Sequence, residues 1–147
     1  MIGSLLKECK IVPVENSIAA SKATTVGEII DTAGWGGACF IYKLGAVTDG
    51  AAVTLKIYQG SDATVSDVAE LSGASASIAE ASGDSDQRLI IDVIKPRKRY
   101  LRPTIVTETQ NVEIDDGICI LYNPDVKPVS QPATVDAGTL VISPAEV

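Results

Sequence analysis

Strict alternation of apolar and polar residues constrains this chain more than any other feature. In residues 51–59, Val53, Leu55 and Ile57 fall on one side of an extended backbone, and Thr54, Lys56 and Tyr58 on the other. Residues 35–47 repeat the pattern, with Ala38, Phe40, Tyr42 and Leu44 against Cys39, Ile41 and Lys43. Residues 88–95 do so again, with Leu89, Ile91 and Val93 against Arg88, Ile90, Asp92 and Ile94. A period of two makes half-buried strands, and no run carries the 3.6-residue period of an amphipathic helix.

Turn chemistry separates these runs. Asp49-Gly50 lies between two of them and predicts a tight hairpin, because both residues tolerate positive φ. Gly36-Gly37 permits a bulge or a close backbone approach. The stretch 60–86 is rich in Ser, Ala, Asp and Gly; within it, residues 66–71 could form one helical turn capped by Ser66 or Asp67, and 75–79 a short edge strand. Lys95-Pro96-Arg97-Lys98 is a polar turn, and 99–108 a further strand in which Pro103 suggests an edge or a bulge. Residues 112–122 form the last strand of the domain, interrupted at Asp115-Asp116-Gly117. About seven or eight short strands at regular spacing predict an all-β fold, an antiparallel two-sheet β-sandwich of jelly-roll-like kind. Residues 24–122 form the sandwich domain, 1–23 an N-terminal arm in which residues 11–14 could also be a short strand, and 123–147 an extended Pro-rich C-terminal tail with one strand-like piece at 138–143.

The 147 residues suffice for one domain with its own core, and the apolar fraction of 46% argues against disorder. Only Trp35, Phe40 and four tyrosines are aromatic. No stretch reaches the ~18 apolar residues that span a bilayer, and the first ten residues lack a secretory pattern, so a cytosolic setting in the producing cell is expected. Cys9, Cys39 and Cys119 form no metal-binding spacing. They are expected as free thiols, the alternative being a Cys39–Cys119 bridge if adjacent strands and an oxidising compartment allow it.

Chemistry is sparse. There is no histidine, which removes the commonest general base, Ser–His and Cys–His nucleophiles and His-ligated zinc. No phosphate-binding glycine motif or nucleophile elbow occurs; Gly34-Trp35-Gly36-Gly37 precedes a strand, whereas a phosphate cradle needs a helix behind it. Asp84/Asp86 and Asp115/Asp116 read as solvated turns, with a calcium loop as the competing idea. No catalytic residue, cofactor or metal site is expected. The net charge of −7 opposes binding to nucleic acid or anionic membranes. Yet Lys95, Arg97, Lys98, Arg99 and Arg102 place five of the twelve bases in one short run. These five are the candidate partner-binding residues, set against the plainer reading in which they pair with acids of their own domain.

Residues 30–122 resemble the small capsid decoration, or cement, proteins of tailed bacteriophages. The resemblance rests on Ile30-Asp31-Thr32-Ala33-Gly34-Trp35, Phe40-Ile41, Leu44-Gly45-Ala46, the Asp49–Leu55 turn and strand, Tyr58-Gln59-Gly60-Ser61-Asp62 and Arg99-Tyr100-Leu101-Arg102. It implies a non-enzymatic virion protein, made in the host cytoplasm and bound to the capsid exterior. Its expected partners are the major capsid protein and other copies of itself, most simply as a homotrimer that bridges neighbouring shell subunits. A ligand of the assembled shell alone stabilises that shell by mass action. Extended arms suit such a role, since strand addition supplies backbone hydrogen bonds without a preformed pocket. The alternatives are another virion part, such as a head–tail connector or tail subunit, and a carbohydrate- or receptor-binding sandwich, which predicts an exposed aromatic cluster.

Overall fold

The computed structural model describes residues 3–143 except Ser66 and Glu80. One short helix, α1 (Leu5–Glu8), precedes ten strands: β1 (Lys10–Glu15), β2 (Ile18–Ser21), β3 (Thr24–Val26), β4 (Ile30–Asp31), β5 (Trp35–Val47), β6 (Ala52–Gly60), β7 (Ala69–Ile78), β8 (Arg88–Ile94), β9 (Tyr100–Glu108) and β10 (Val112–Pro124). All pairings are antiparallel. They make two five-stranded sheets. Sheet I runs β1-β10-β5-β8, with β2 also on β10; sheet II runs β3-β9-β6-β7, with β4 also on β9. Because β1 and β2 lie along one neighbour, and β3 and β4 along another, each couple acts as one broken strand. The chain then reads as an eight-stranded double-sheet jelly roll.

The alternation chose the inner faces correctly. Ala38, Phe40, Tyr42 and Leu44 of β5 are fully buried, and so are Val53, Leu55 and Ile57 of β6 and Leu101 and Ile105 of β9. Leu89, Ile91 and Val93 of β8 join the same core. Apolar inner faces about 10 Å apart give a sandwich its hydrophobic stabilisation.

Several local expectations need correction. Asp49-Gly50 does make a turn, with Ala51 N donating to Thr48 O at 3.1 Å and Gly50 at φ +88°. It is not a hairpin, because β5 lies in sheet I and β6 in sheet II. Both edges of β5 are taken by β10 and β8, so the turn carries the chain across the sandwich. Residues 67–71 form no helical turn: β7 starts at Ala69, while Ser66 lies outside the described residues. Pro103 is not on an edge strand, since β9 lies between β3 and β6. Its missing N–H falls where the neighbouring strand breaks between β3 and β4, and its carbonyl accepts from Gly27 N at 2.9 Å. The interruption at Asp115-Asp116-Gly117 is absorbed as register shifts within a continuous β10. Gly36-Gly37 is a close approach and not a bulge. The Tyr122 ring of β10 lies over Gly37 where a Cβ would stand, and Asn123 does the same at Gly36.

Within the N-terminal stretch predicted as an arm, residues 10–15 and 18–21 are strands of sheet I. Val12 and Val14 turn inward as β1, the outer strand of sheet I, an edge position that tolerates Pro13. The tail beyond Pro124 carries no strand in its described residues, so the strand-like piece at 138–143 stays unpaired. The tail is tied to α1: Val129 N donates to Lys7 O at 2.8 Å, the Gln131 amide to Leu6 O and Cys9 O, and Lys127 Nζ sits 2.8 Å from Glu8 Oε1.

Phe40→Ala should cost about 3–5 kcal/mol in denaturant unfolding, the range for emptying a fully buried aromatic site; a loss below ~1 kcal/mol would mean that the inner face of β5 is not core. Lys127, with help from the Ser4 and Gly3 amides, lowers the Glu8 pKa from 4.5 to about 2. The Lys127–Glu8 contribution to the anchoring of the tail is therefore complete above pH 4.5 and is lost as the pH falls towards 2, while the Val129 and Gln131 hydrogen bonds remain. An NMR titration of Glu8 should show its midpoint near 2, and a midpoint at 4.5 would mean that Lys127 does not hold it.

Candidate functional site

The five bases predicted as a partner patch do not form one cluster. Alternation along β9 sends Leu101 into the core and leaves Tyr100 and Arg102 on the outer face of sheet II. Arg99 makes a two-pronged ion pair with Asp31, both bonds at 2.8 Å, and its guanidinium lies 5.1 Å from the Tyr100 ring. This fork holds the Asp31 carboxyl below its ordinary pKa. Arg102 sits 5.5 Å from the ring of Tyr58, its register partner on β6. Lys98 contacts Asp67 at 3.1 Å. Asp67 also accepts from the Ser61 hydroxyl and amide, and these bonds with Lys98 lower its pKa to about 2. Pairing with acids of the same domain thus describes Arg99 and Lys98.

Lys95 and Arg97 are exposed at the rim of a cleft of about 610 Å³ between β7 and β8, the two strands that end the sheets on the same side. Leu71, Ala74 and Val93 supply apolar lining, and Asp92 and Lys98 polar groups. The cleft could hold about twenty waters at ~30 Å³ each, so it is no packing defect.

A second surface has no counterpart among the predicted site residues. The outward residues of sheet I make an apolar centre across its four main strands, bordered by Asp92 on β8 and by Lys43 and Arg88 in the row beyond. Register places Ile90 beside Ile41, Ile41 beside Ile118 and Ile118 beside Pro13. The next row sets Cys39 beside Ile120 and Ile120 beside Ile11. Ile94 flanks Gly37 and the Tyr122 ring at one end. Ile90 is 56% exposed and Ile94 67%, and among the described residues no element packs over this face. The outer face of sheet II is different, with Thr54, Lys56, Tyr58, Arg102 and Thr104 on its central strands. The signal was present in the sequence as isoleucines on both phases of β8 and β10, but alternation alone could not say that the outward ones of separate strands meet.

The acidic turns also come together. Lys43, outward on β5, contacts both Asp86 and Asp115, which joins the two aspartate clusters around one ammonium. Among the described residues no group of three or more metal-ligating side chains occurs. Cys39 faces outward and Cys119 inward on adjacent strands, so the two thiols lie on opposite faces of sheet I and do not bridge. Tyr42 OH and Glu15 Oε1 are buried without a hydrogen-bond partner, and burial raises the pKa of both groups.

No protein-family model and no curated protein matches the sequence. Solved structures similar in outline include the following three. TmCBM61 in complex with β-1,4-galactotriose is 12% identical with a TM-score of 0.46, over 77% of this chain and 69% of that one. A chain of infectious bursal disease virus, Gt strain, is 11% identical with a TM-score of 0.47, over 83% of this chain and 36% of its own length. The carbohydrate-binding module CBM6cm-2 of Cellvibrio mixtus lichenase 5A, in complex with cellotriose, is 12% identical with a TM-score of 0.32, over 77% and 96%. The chain is an all-β jelly-roll sandwich, a class defined here by its own strand order.

The divided basic run gives a graded expectation. Arg97→Glu should change the unfolding free energy by no more than ~0.5 kcal/mol. Lys98→Glu, which faces Asp67, should loosen the 61–67 turn and raise amide exchange there. Equal effects of the two variants on that turn would remove the distinction between a free and a paired base.

Proposed function

We propose that this chain is a non-enzymatic structural protein of a phage virion, one that docks on the outer surface of the capsid and bridges neighbouring major capsid subunits. The uncovered apolar face of sheet I is the observation that carries the docking reading. A sandwich that works alone alternates apolar-in with polar-out. Here one central outward position or more on each of β1, β10, β5 and β8 is isoleucine: Ile11, Ile118, Ile120, Ile41 and Ile90. An apolar patch of this kind, half-buried at its centre and exposed at Ile11, Ile90 and Ile94, fits a surface that another protein covers. The capsid as partner comes from the family resemblance, and the acidic surface around the face suits a protein that stays dispersed before docking.

The carbohydrate-binding alternative needs open aromatic platforms. Tyr58 and Tyr100 are exposed in part, but an arginine already lies against each ring. That arrangement favours a packed outer face on sheet II over a sugar-stacking one.

The test is co-sedimentation of the purified protein with undecorated phage heads, followed by imaging of the pelleted shells. Saturable binding at local three-fold positions is expected. Ile41→Lys/Ile90→Lys should abolish it while leaving the circular dichroism of the free protein unchanged, and Arg97→Glu should weaken it less. Wild-type binding by the isoleucine variant would remove the sheet I face as the docking surface. Ring-shaped oligomers that ignore heads would favour a connector or tail subunit.

A further inference from the structure

Two features stand without partners at opposite edges of sheet I. The first is the outer edge of β8. β8 pairs with β5 on one side only, and among the described residues no strand takes the other. It is a regular seven-residue strand, Arg-Leu-Ile-Ile-Asp-Val-Ile, with none of the prolines, bulges or inward charges that blunt natural edges. Its neighbour across the cleft, β7, is blunted: it carries Gly73 at φ +82°, and its register on β6 shifts. The second feature is the tail segment 139–143, Thr-Leu-Val-Ile-Ser. This uncharged, β-branched run has strong strand propensity, yet it forms no strand. Leu140, Val141 and Ile142 are 53%, 68% and 90% exposed.

We propose that residues 139–143 of one copy add as a strand to the free edge of β8 in a second copy, filling the cleft between β7 and β8. An added strand would satisfy the outward backbone groups of β8. Its alternation would direct Leu140 and Ile142 together to one side, towards the apolar lining of Leu71, Ala74 and Val93. Charge agrees as well. From residue 128 onward the sequence has the acids Asp136 and Glu146 and no base, whereas the cleft rim offers Lys95 and Arg97.

The donor belongs to another copy for a geometric reason. The tail is fastened at the β1 edge, where Gln131 accepts from Ile11 N at 3.0 Å and donates to Leu6 O and Cys9 O. β1 and β8 are the opposite edges of sheet I, about 14 Å apart at three strand spacings. A tail crossing its own sheet would run across the strands and would have to turn along β8 before it could pair. Placed edge to edge, the β1 side of one copy brings its tail alongside the β8 side of the next. Such a head-to-tail contact closes into a ring if the rotation allows, and a three-copy ring is one closed solution. The inference goes beyond the docking reading and stands whichever surface meets a capsid.

The experiment uses full-length chains throughout. A ¹⁵N-labelled Leu140→Asp/Ile142→Asp protein keeps the acceptor edge but not the donor segment, and both substitutions fall on exposed residues. Mixed with excess unlabelled wild-type protein, its β8 amides should exchange about tenfold more slowly than alone, and mixed with unlabelled double variant they should not change. Wild-type protein should sediment as an oligomer and the double variant as a monomer. Arg97→Glu in the labelled chain should reduce the protection. An unchanged β8 in the wild-type mixture would overturn the proposal. So would β8 protection in wild-type protein that sediments as a monomer, since that places the tail on its own chain. Identical sedimentation of wild type and double variant would also overturn it.

Discussion

The stacking of β5 on β6 across the sandwich is the constraint on which everything else depends. Phe40, Tyr42 and Leu44 from one sheet and Val53, Leu55 and Ile57 from the other are fully buried in the same core. Because the two strands are consecutive, the turn at Asp49-Gly50 must carry the chain from one layer to the other. Once it does, β5 has two free edges, filled by β10 and β8, and β6 likewise takes β9 and β7. The chain crosses again at β7–β8, β8–β9 and β9–β10, so the later strands are shared between the two sheets.

The same crossing places the functional features. β8 ends sheet I and β7 ends sheet II on the same side, and the cleft is the gap where two edge strands fail to close the sandwich. The turn after β8 brings Lys95 and Arg97 to its mouth. Burial of one face of β5, β8 and β10 fixes by periodicity which residues point away, and the isoleucines among them make the apolar centre of the outer surface of sheet I. A strand with apolar residues on both phases is unremarkable inside a three-layer protein. In a two-layer sandwich it leaves a surface that water covers poorly.

The candidate site was less legible in the sequence than the fold. The density of bases at 95–102 was visible, but their grouping was not, because neighbours in sequence diverge in space. Arg99 reaches Asp31 and Arg102 reaches Tyr58, while Lys95, Arg97 and the Asp67-paired Lys98 line the cleft. The aspartates at 86 and 115 looked like two separate turns until the β5–β10 and β5–β8 registers brought both to Lys43. The isoleucine surface is not visible in the sequence for a similar reason. Ile41, Ile90 and Ile118 lie on three different strands, and register alone makes them adjacent.

By itself the sequence determined the strands and their inner faces. Side-chain alternation is a local property of extended backbone, and it placed Val53, Leu55, Ile57, Phe40 and Leu89 in the core before any pairing was known. It also excluded histidine chemistry outright. Pairing was decided only by the tertiary structure. An Asp-Gly turn serves a hairpin and an inter-sheet crossing equally well, and an N-terminal segment with a proline can be an arm or an edge strand. Those choices are settled by which strand edges remain unsatisfied once the core has closed, and that balance is a property of the whole chain.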